Sequence, residues 1–154
     1  LVLVGSNAIL INENGEEIGR TQQQVSEKII IKNMLKDSPF IHSSVVFSRK
    51  VYDLTPGYLI GTDEGSRHIA DYNLWFELSK QGKCKNIIDY TVLYRVLEDS
   101  MSRQMDKCIN YRARLSVMKD VYKHYKKFHF YYYFQTLKVG LRVFQYCHAR
   151  KLFK

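Results

Sequence analysis

Apolar and polar positions along the chain mark out a series of short elements. Leu1–Val4 and Ala8–Ile11 are apolar runs of strand character, separated by Gly5, Ser6 and Asn7. Asn14-Gly15 is a hairpin signal, which makes Glu17–Arg20 the predicted return strand. Ser26 opens a predicted helix through about Lys36, with Ile30, Ile31, Met34 and Leu35 on its apolar side and Ser38-Pro39 ending it. Phe40–Phe47 reads as a strand, with His42, Ser44 and Val46 on one face and Ile41, Ser43, Val45 and Phe47 on the other. One helical turn is predicted over Arg49–Leu54, then a loop over Thr55–Arg67 that holds Pro56, Gly57, Gly61 and Gly65. Asp71–Lys80 reads as a helix stopped by Gly82, and Lys85–Ile88 and Thr91–Val96 as an edge strand and a core strand.

After Ser102 the period changes. Met105, Cys108, Ile109, Met118, Val121, Tyr122 and Tyr125 recur at helical spacing, and Phe130, Tyr133, Phe134, Leu137, Leu141 and Phe144 continue it. Two amphipathic helices are predicted, breaking near Lys127–His129. Mixed strands and helices followed by a helical tail give an α/β class. The boundary is set at residues 1–102 for the mixed part and 103–154 for the basic, aromatic helical extension.

A chain of 154 residues suits one domain with a real core. It carries no initiator Met and begins on a strand, so the expectation is a fragment without its N-terminal half. Charge is uneven. The net charge is +9, yet residues 1–100 hold 11 Lys and Arg against 13 acids, and residues 101–154 hold 13 against 2. Such a tail calls for an anionic partner, membrane or nucleic acid, unless it is only a solvated basic face. Cys84, Cys108 and Cys147 are widely spaced and odd in number, which favours buried thiols and a reducing compartment over a disulfide framework. They and the five histidines show no metal-ligand spacing. The longest charge-free run of the tail, Phe128–Leu137, is far short of the roughly 20 apolar residues that cross a bilayer.

Several side chains could carry chemistry. In a helix from Asp71, positions 71, 74, 75 and 78 share one side, and Leu74, Trp75 and Leu78 turn that side inward. Asp71 then sits in the first turn at the edge of the core. It can serve as a general base kept ionised by the helix N-terminus, or as a plain N-cap. Asp63 and Glu64, among glycines, are two solvated loop acids or, as the family resemblance set out below implies, part of a closing lid. His42 and Ser44 suit the floor of a cleft, or a satisfied polar pair in the core. Arg95 can neutralise a diphosphate or pair with Glu98 or Asp99.

The order of motifs is more specific than any one of them. Gly61–Leu78 reads GTDEGSRHIADYNLWFEL and Leu93–Arg103 reads LYRVLEDSMSR. Together they resemble the acceptor-side half of an inverting family 2 glycosyltransferase of the GT-A, nucleotide-sugar type. Gly61, Asp63, Glu64, Asp71, Tyr72, Leu74, Trp75, Tyr94, Arg95, Ser100 and Ser102 stand at matching positions. Upstream, Val4-Gly5-Ser6, Asn14-Gly15 and Ile18-Gly19 resemble the family's segment after its metal-binding strand. Phe40–Arg49 resembles its His-x-Ser-Val-Met-Phe-Arg-Arg strand. Thr62, Ala70, Asn73 and Leu97 depart from the residues usual there.

The resemblance implies a partial GT-A fold (Rossmann-like, with a mixed sheet) without its nucleotide-binding half, plus C-terminal amphipathic helices. It implies Asp71 as the base that deprotonates an acceptor hydroxyl. His42, Ser44, Asp63, Glu64, Trp75 and Arg95 become acceptor- or donor-binding candidates. A divalent Mg or Mn ion is expected through an Asp-x-Asp motif upstream of residue 1, with no metal held by this chain alone. The implied partners are a nucleotide-sugar donor and a glycan or lipid-linked acceptor. An anionic membrane surface would meet residues 119–154, at the cytoplasmic face of the cell membrane. The alternative is a non-catalytic basic module on nucleic acid or anionic lipid.

Overall fold

A computed structural model describes residues 1–59, 64–100, 104 and 106–152, the side chains of 64, 66 and 148–152 excepted. It is a mixed α/β structure. Strand β1 (Leu3–Ile11) is central. One of its edges is shared by β2 (Glu17–Arg20) and β3 (Val46–Phe47), both antiparallel to it. Along the other edge, β4 (Cys84–Arg95) runs parallel to β1 from Leu3↔Cys84 to Ile11↔Arg95.

Two pairs of predicted strands are each one continuous strand. Gly5-Ser6-Asn7 does not interrupt β1, because register shifts on either side of Asn7 absorb the irregular step. The polar side chains there take up the bonding. Asn7 Nδ2 donates to Ile88 O at 2.9 Å, and its Oδ1 accepts from Gln23 N at 2.6 Å. Ser6 Oγ meets Thr91 Oγ1 on β4. Asp89 and Tyr90, which part the two predicted strands, lie within β4. Between β1 and β2 the turn runs as predicted, with Gly15 at φ 88°, a left-handed conformation that a side chain disfavours.

Phe40–Phe47 is not a strand throughout. His42–Ser44 form a 3₁₀ turn, and only Val46 and Phe47 pair with β1. The cause is Ser44. Its hydroxyl accepts from Ser6 N at 3.1 Å and lies 2.9 Å from Ile41 O, a local bond that displaces the ladder. The predicted turn at Arg49 forms α2 (Arg49–Tyr52), capped by Ser48 Oγ. The predicted loop up to Arg67 contains a short helix, α3 (Glu64–His68).

The core lies between the sheet and three helices: α1 (Glu27–Asn33), α4 (Ala70–Gln81) and α5 (Lys107–Tyr125). Ile30, Met34, Leu74, Trp75, Leu78, Val117 and Val121 are fully buried in one cluster. It takes residues from both sides of position 102. Tyr72 OH donates to Met34 O and ties α4 to the end of α1. Asp106 caps α5 through Cys108 N and Ile109 N.

The chain reverses after α5, where Lys126 (φ 47°) and Phe128 (φ 60°) adopt left-handed conformations. Helix α6 (His129–Leu152) then returns along α5. The expectation of three free thiols is corrected here. The return path brings Cys108 and Cys147 to a Cα separation of 5.3 Å, and they form a disulfide. Linear spacing hides this pairing, because the two residues stand 39 apart and meet only when the hairpin closes. Cys84 remains a free, buried thiol, and burial pushes it up to about 12.

Gly5 is the tightest point of the sheet. A Cβ there would lie 2.4 Å from Asn86 Oδ1 and 2.8 Å from a Phe40 ring carbon. Gly5→Ala is expected to lower the unfolding free energy by about 1–3 kcal/mol, read from the denaturant midpoint. An unchanged midpoint would show that the β1–β4 seam can open at no cost.

Candidate functional site

The C-terminal end of the 36–43 segment and the start of α4 frame a cavity of about 580 Å³. Asp71, His42, Tyr58, Arg67, His68 and Tyr94 are among its lining residues. Asp71 is in the first turn of α4, one residue inside Ala70, because Ile69 occupies the cap position. Its Oδ1 accepts from Tyr72 N at 2.7 Å. The inward residues of the same helix, Leu74, Trp75 and Leu78, are fully buried, and they fix the rotation that holds Asp71 at the cavity wall.

Burial raises the Asp71 pKa above the ordinary carboxylate range; the Tyr72 N–H and the charge of His42 oppose that shift. The Asp37 carboxylate adds to it. His42 Nε2 and Tyr58 OH are hydrogen-bonded at 2.9 Å, and the His42 ring lies against Trp75 at 5.7 Å between centroids. Burial, and then the negative charge of Asp71, push the Tyr58 phenol up. The arrangement is a desolvated carboxylate beside an imidazole–phenol pair, with Arg67 on the same wall. Chemically it can accept a proton from an entering hydroxyl and oppose negative charge through the guanidinium.

The other sequence-derived candidates are distributed differently. Ser44 is not among the residues lining this cavity and clamps the 3₁₀ turn to β1 through Ser6. Trp75 is buried in the core beneath His42, edge-on to Phe40. Arg95 donates to Asn12 O at 2.8 Å and to Glu13 O at 2.7 Å, which fastens the end of β4 to the β1–β2 turn. Asp63 lies outside the described residues, together with Gly61, Thr62 and Ser102. So does the side chain of Glu64, whose backbone opens α3. Tyr58, Arg67 and His68 escaped sequence reasoning, and Tyr94 stood out only as a motif position. For Arg67 and His68 the available signal was two basic residues directly before an acidic helix start.

Among the described residues, no three His, Cys, Asp or Glu side chains converge as metal ligands do. No chemistry below runs through a metal ion.

Helix α6 presents a second surface. Phe130, Phe134, Leu137, Leu141 and Phe144 form one exposed face, with Phe130 at 87% and Phe144 at 64% exposure. Tyr131, Tyr132, Gln135 and Val139 face inward. Among the described residues no helix is long and apolar enough to cross a membrane. No family model and no curated protein matches this chain.

The raised Asp71 pKa has a consequence for stability. Between the ordinary carboxylate value and the raised one, the native state holds a proton that the unfolded chain has released. Stability therefore falls as pH rises through that window. Asp71→Asn removes the buried charge and keeps an acceptor for Tyr72 N. It is expected to melt at a higher temperature than the parent at pH 7, with the difference vanishing below the ordinary carboxylate range, measured by calorimetry across pH.

Proposed function

We propose that the chain is the acceptor-side part of an inverting nucleotide-sugar glycosyltransferase, of the partial GT-A kind that its motif order resembles. The observation that carries this reading is a half-buried carboxylate, Asp71, on the wall of a cavity large enough for a sugar unit. In this reading the acceptor hydroxyl enters the cavity and gives its proton to Asp71 as its oxygen attacks the anomeric carbon. In-line attack inverts that centre. His42 and Tyr58 orient the acceptor as a linked donor–acceptor pair. Arg67 faces the negative charge of the donor, the part first assigned to Arg95, because Arg95 already serves the β1–β2 turn. Apart from Arg67, the groups that hold the leaving diphosphate and any divalent ion would be residues other than these.

The free edge of β4 supports the same reading. Among the described residues β4 pairs only with β1, and Ile88 and Leu93 on it are largely exposed. Such an edge suits a further sheet segment that completes the donor side.

Asp71→Asn in the full-length protein is expected to reduce sugar transfer by about 10²–10⁴-fold and to leave donor binding intact. The rate of the parent should fall, as pH is lowered, through a value above the ordinary carboxylate range, and this limb should be lost in the variant. Unchanged turnover in Asp71→Asn would remove the assigned role.

We propose further that α6 rests on an anionic membrane surface. Its exposed Phe and Leu face would enter the interface, with Lys126, Lys127, Lys138 and Arg142 near the headgroups, each adding on the order of 1 kcal/mol. Flotation with vesicles is expected to require anionic lipid. Equal flotation on neutral vesicles would rule out the electrostatic part of this anchor.

A further inference from the structure

A second cavity, of about 490 Å³, opens between α5, α6 and the segment that follows α1. Four cations line it: Lys36, Arg114, Lys138 and Arg142. No acidic residue is among its lining residues. Asp37 reaches Arg114 from outside, with its Oδ2 at 2.9 Å from Nη2. Among the described residues Lys36, Lys138 and Arg142 form no ion pair with a carboxylate. Both guanidiniums lie against Tyr111, with the Arg114 and Arg142 carbons 5.7 and 5.5 Å from its ring centre. Arg142 Nη1 also donates to Tyr111 OH at 3.1 Å. The Nε of Arg114 is buried with no hydrogen-bond partner.

Four like charges around one concavity repel each other, and each loses part of its hydration there. An orphaned guanidinium N–H in the same wall costs further free energy. The repulsion is relieved if an anion with several acceptor oxygens enters. Planar guanidiniums favour a phosphate group, which can bridge two of them. Leu141 lines this cavity and is also 61% exposed on the outer apolar face of α6. The mouth of the cavity thus adjoins the surface assigned above to the membrane.

We propose that this cavity binds a phosphomonoester or diphosphate group, through Lys36, Arg114, Lys138 and Arg142. The proposal does not depend on sugar transfer, because none of these side chains lines the Asp71 cavity. The phosphate can arrive on a lipid headgroup at the adjoining apolar face or on a free molecule.

The test uses the full chain and two probes. Inorganic diphosphate, at ionic strength held constant with chloride, is expected to raise the melting temperature saturably. Lys138→Glu with Arg142→Glu changes two exposed side chains, and it is expected to weaken diphosphate binding by at least about tenfold. Lys119→Glu with Lys123→Glu carries the same charge change on α5 outside the cavity and should bind as the parent does. In the second arm, vesicles with a phosphomonoester headgroup are compared with phosphatidylserine vesicles of equal surface charge. A preference for the phosphomonoester, lost in the Lys138/Arg142 variant, assigns the site to a lipid. Saturable diphosphate binding without that preference assigns it to a free phosphate ligand. The proposal is overturned if diphosphate gives no saturable shift, or if both double variants lose binding equally. Sugar transfer by Asp71 could fail its own test without altering either arm.

Discussion

One side-chain amide, that of Asn86, ties the α1 segment to the central sheet. It is buried on β4, and its Nδ2 donates to Gln24 O at 3.0 Å and to Pro39 O at 3.1 Å. Those carbonyls stand just before and just after the α1 segment. One amide therefore fixes both ends of that segment against the parallel β1–β4 seam. It can do so only because Gly5 leaves room for it on β1. Pro39 leads directly into Phe40, Ile41 and His42, the floor of the Asp71 cavity. The oxygen of the same amide, Oδ1, is buried without a partner. An orphaned acceptor costs about 1–3 kcal/mol, so this geometry is maintained at some expense.

The cavity repeats the pattern of a favourable fold carrying an unfavourable group. Helix α4 buries Leu74, Trp75 and Leu78, and this burial outweighs the desolvation of one carboxylate at its first turn. The helix N-terminus and the Tyr72 N–H offset part of that cost but leave the pKa raised. A base poised above the usual carboxylate range is better matched to a neutral-pH proton transfer than a fully hydrated aspartate. Asp37 links the two cavities electrostatically. It raises Asp71 and at the same time pairs with Arg114 in the basic cavity wall. The chain from Lys36 to Ser43 is physically shared as well, since Lys36 lines one cavity and Ser38 with Ile41 the other.

Elements whose stability is local were legible in the sequence. The α4 helix, its stop at Gly82, the Asn14-Gly15 turn and the break near Lys127 follow from periodicity and turn chemistry over a few residues. Elements set by distant partners were not. The 3₁₀ turn at His42 depends on Ser44 meeting Ser6, 38 positions away, and Gly5-Ser6-Asn7 stays in a strand because Ile88 and Gln23 receive its polar groups. The disulfide is of the same kind. In the site, Asp71 was legible because a helix start and an inward face define it. Tyr58 and Arg67 were not: Tyr58 stands in a loop, and the helix that carries Arg67 has five residues, too few to show a period. Trp75 and Arg95 show the reverse case. Each is a chemically suggestive residue whose surroundings give it a structural task.

Helix α6 distributes its residues in a way that water alone does not explain. Its inner face is rich in phenols: Tyr132 stacks on Tyr122 at 4.0 Å, and Tyr146 on Tyr111 at 5.8 Å. Lys32 and Lys107 sit over Tyr131 and Tyr146. The outer face carries the Phe and Leu side chains. In an isolated protein in water, the more apolar set gains more from burial, by roughly 1.5–3 kcal/mol for each large side chain. The opposite placement gains from stacking and cation–π contacts across the hairpin and leaves an apolar outer face. A second copy of this chain would supply an apolar face, but it would bring the same excess of 11 positive charges in residues 101–154 against the first. An anionic lipid interface supplies apolar chains and negative charge together, and it therefore satisfies both halves of the pattern.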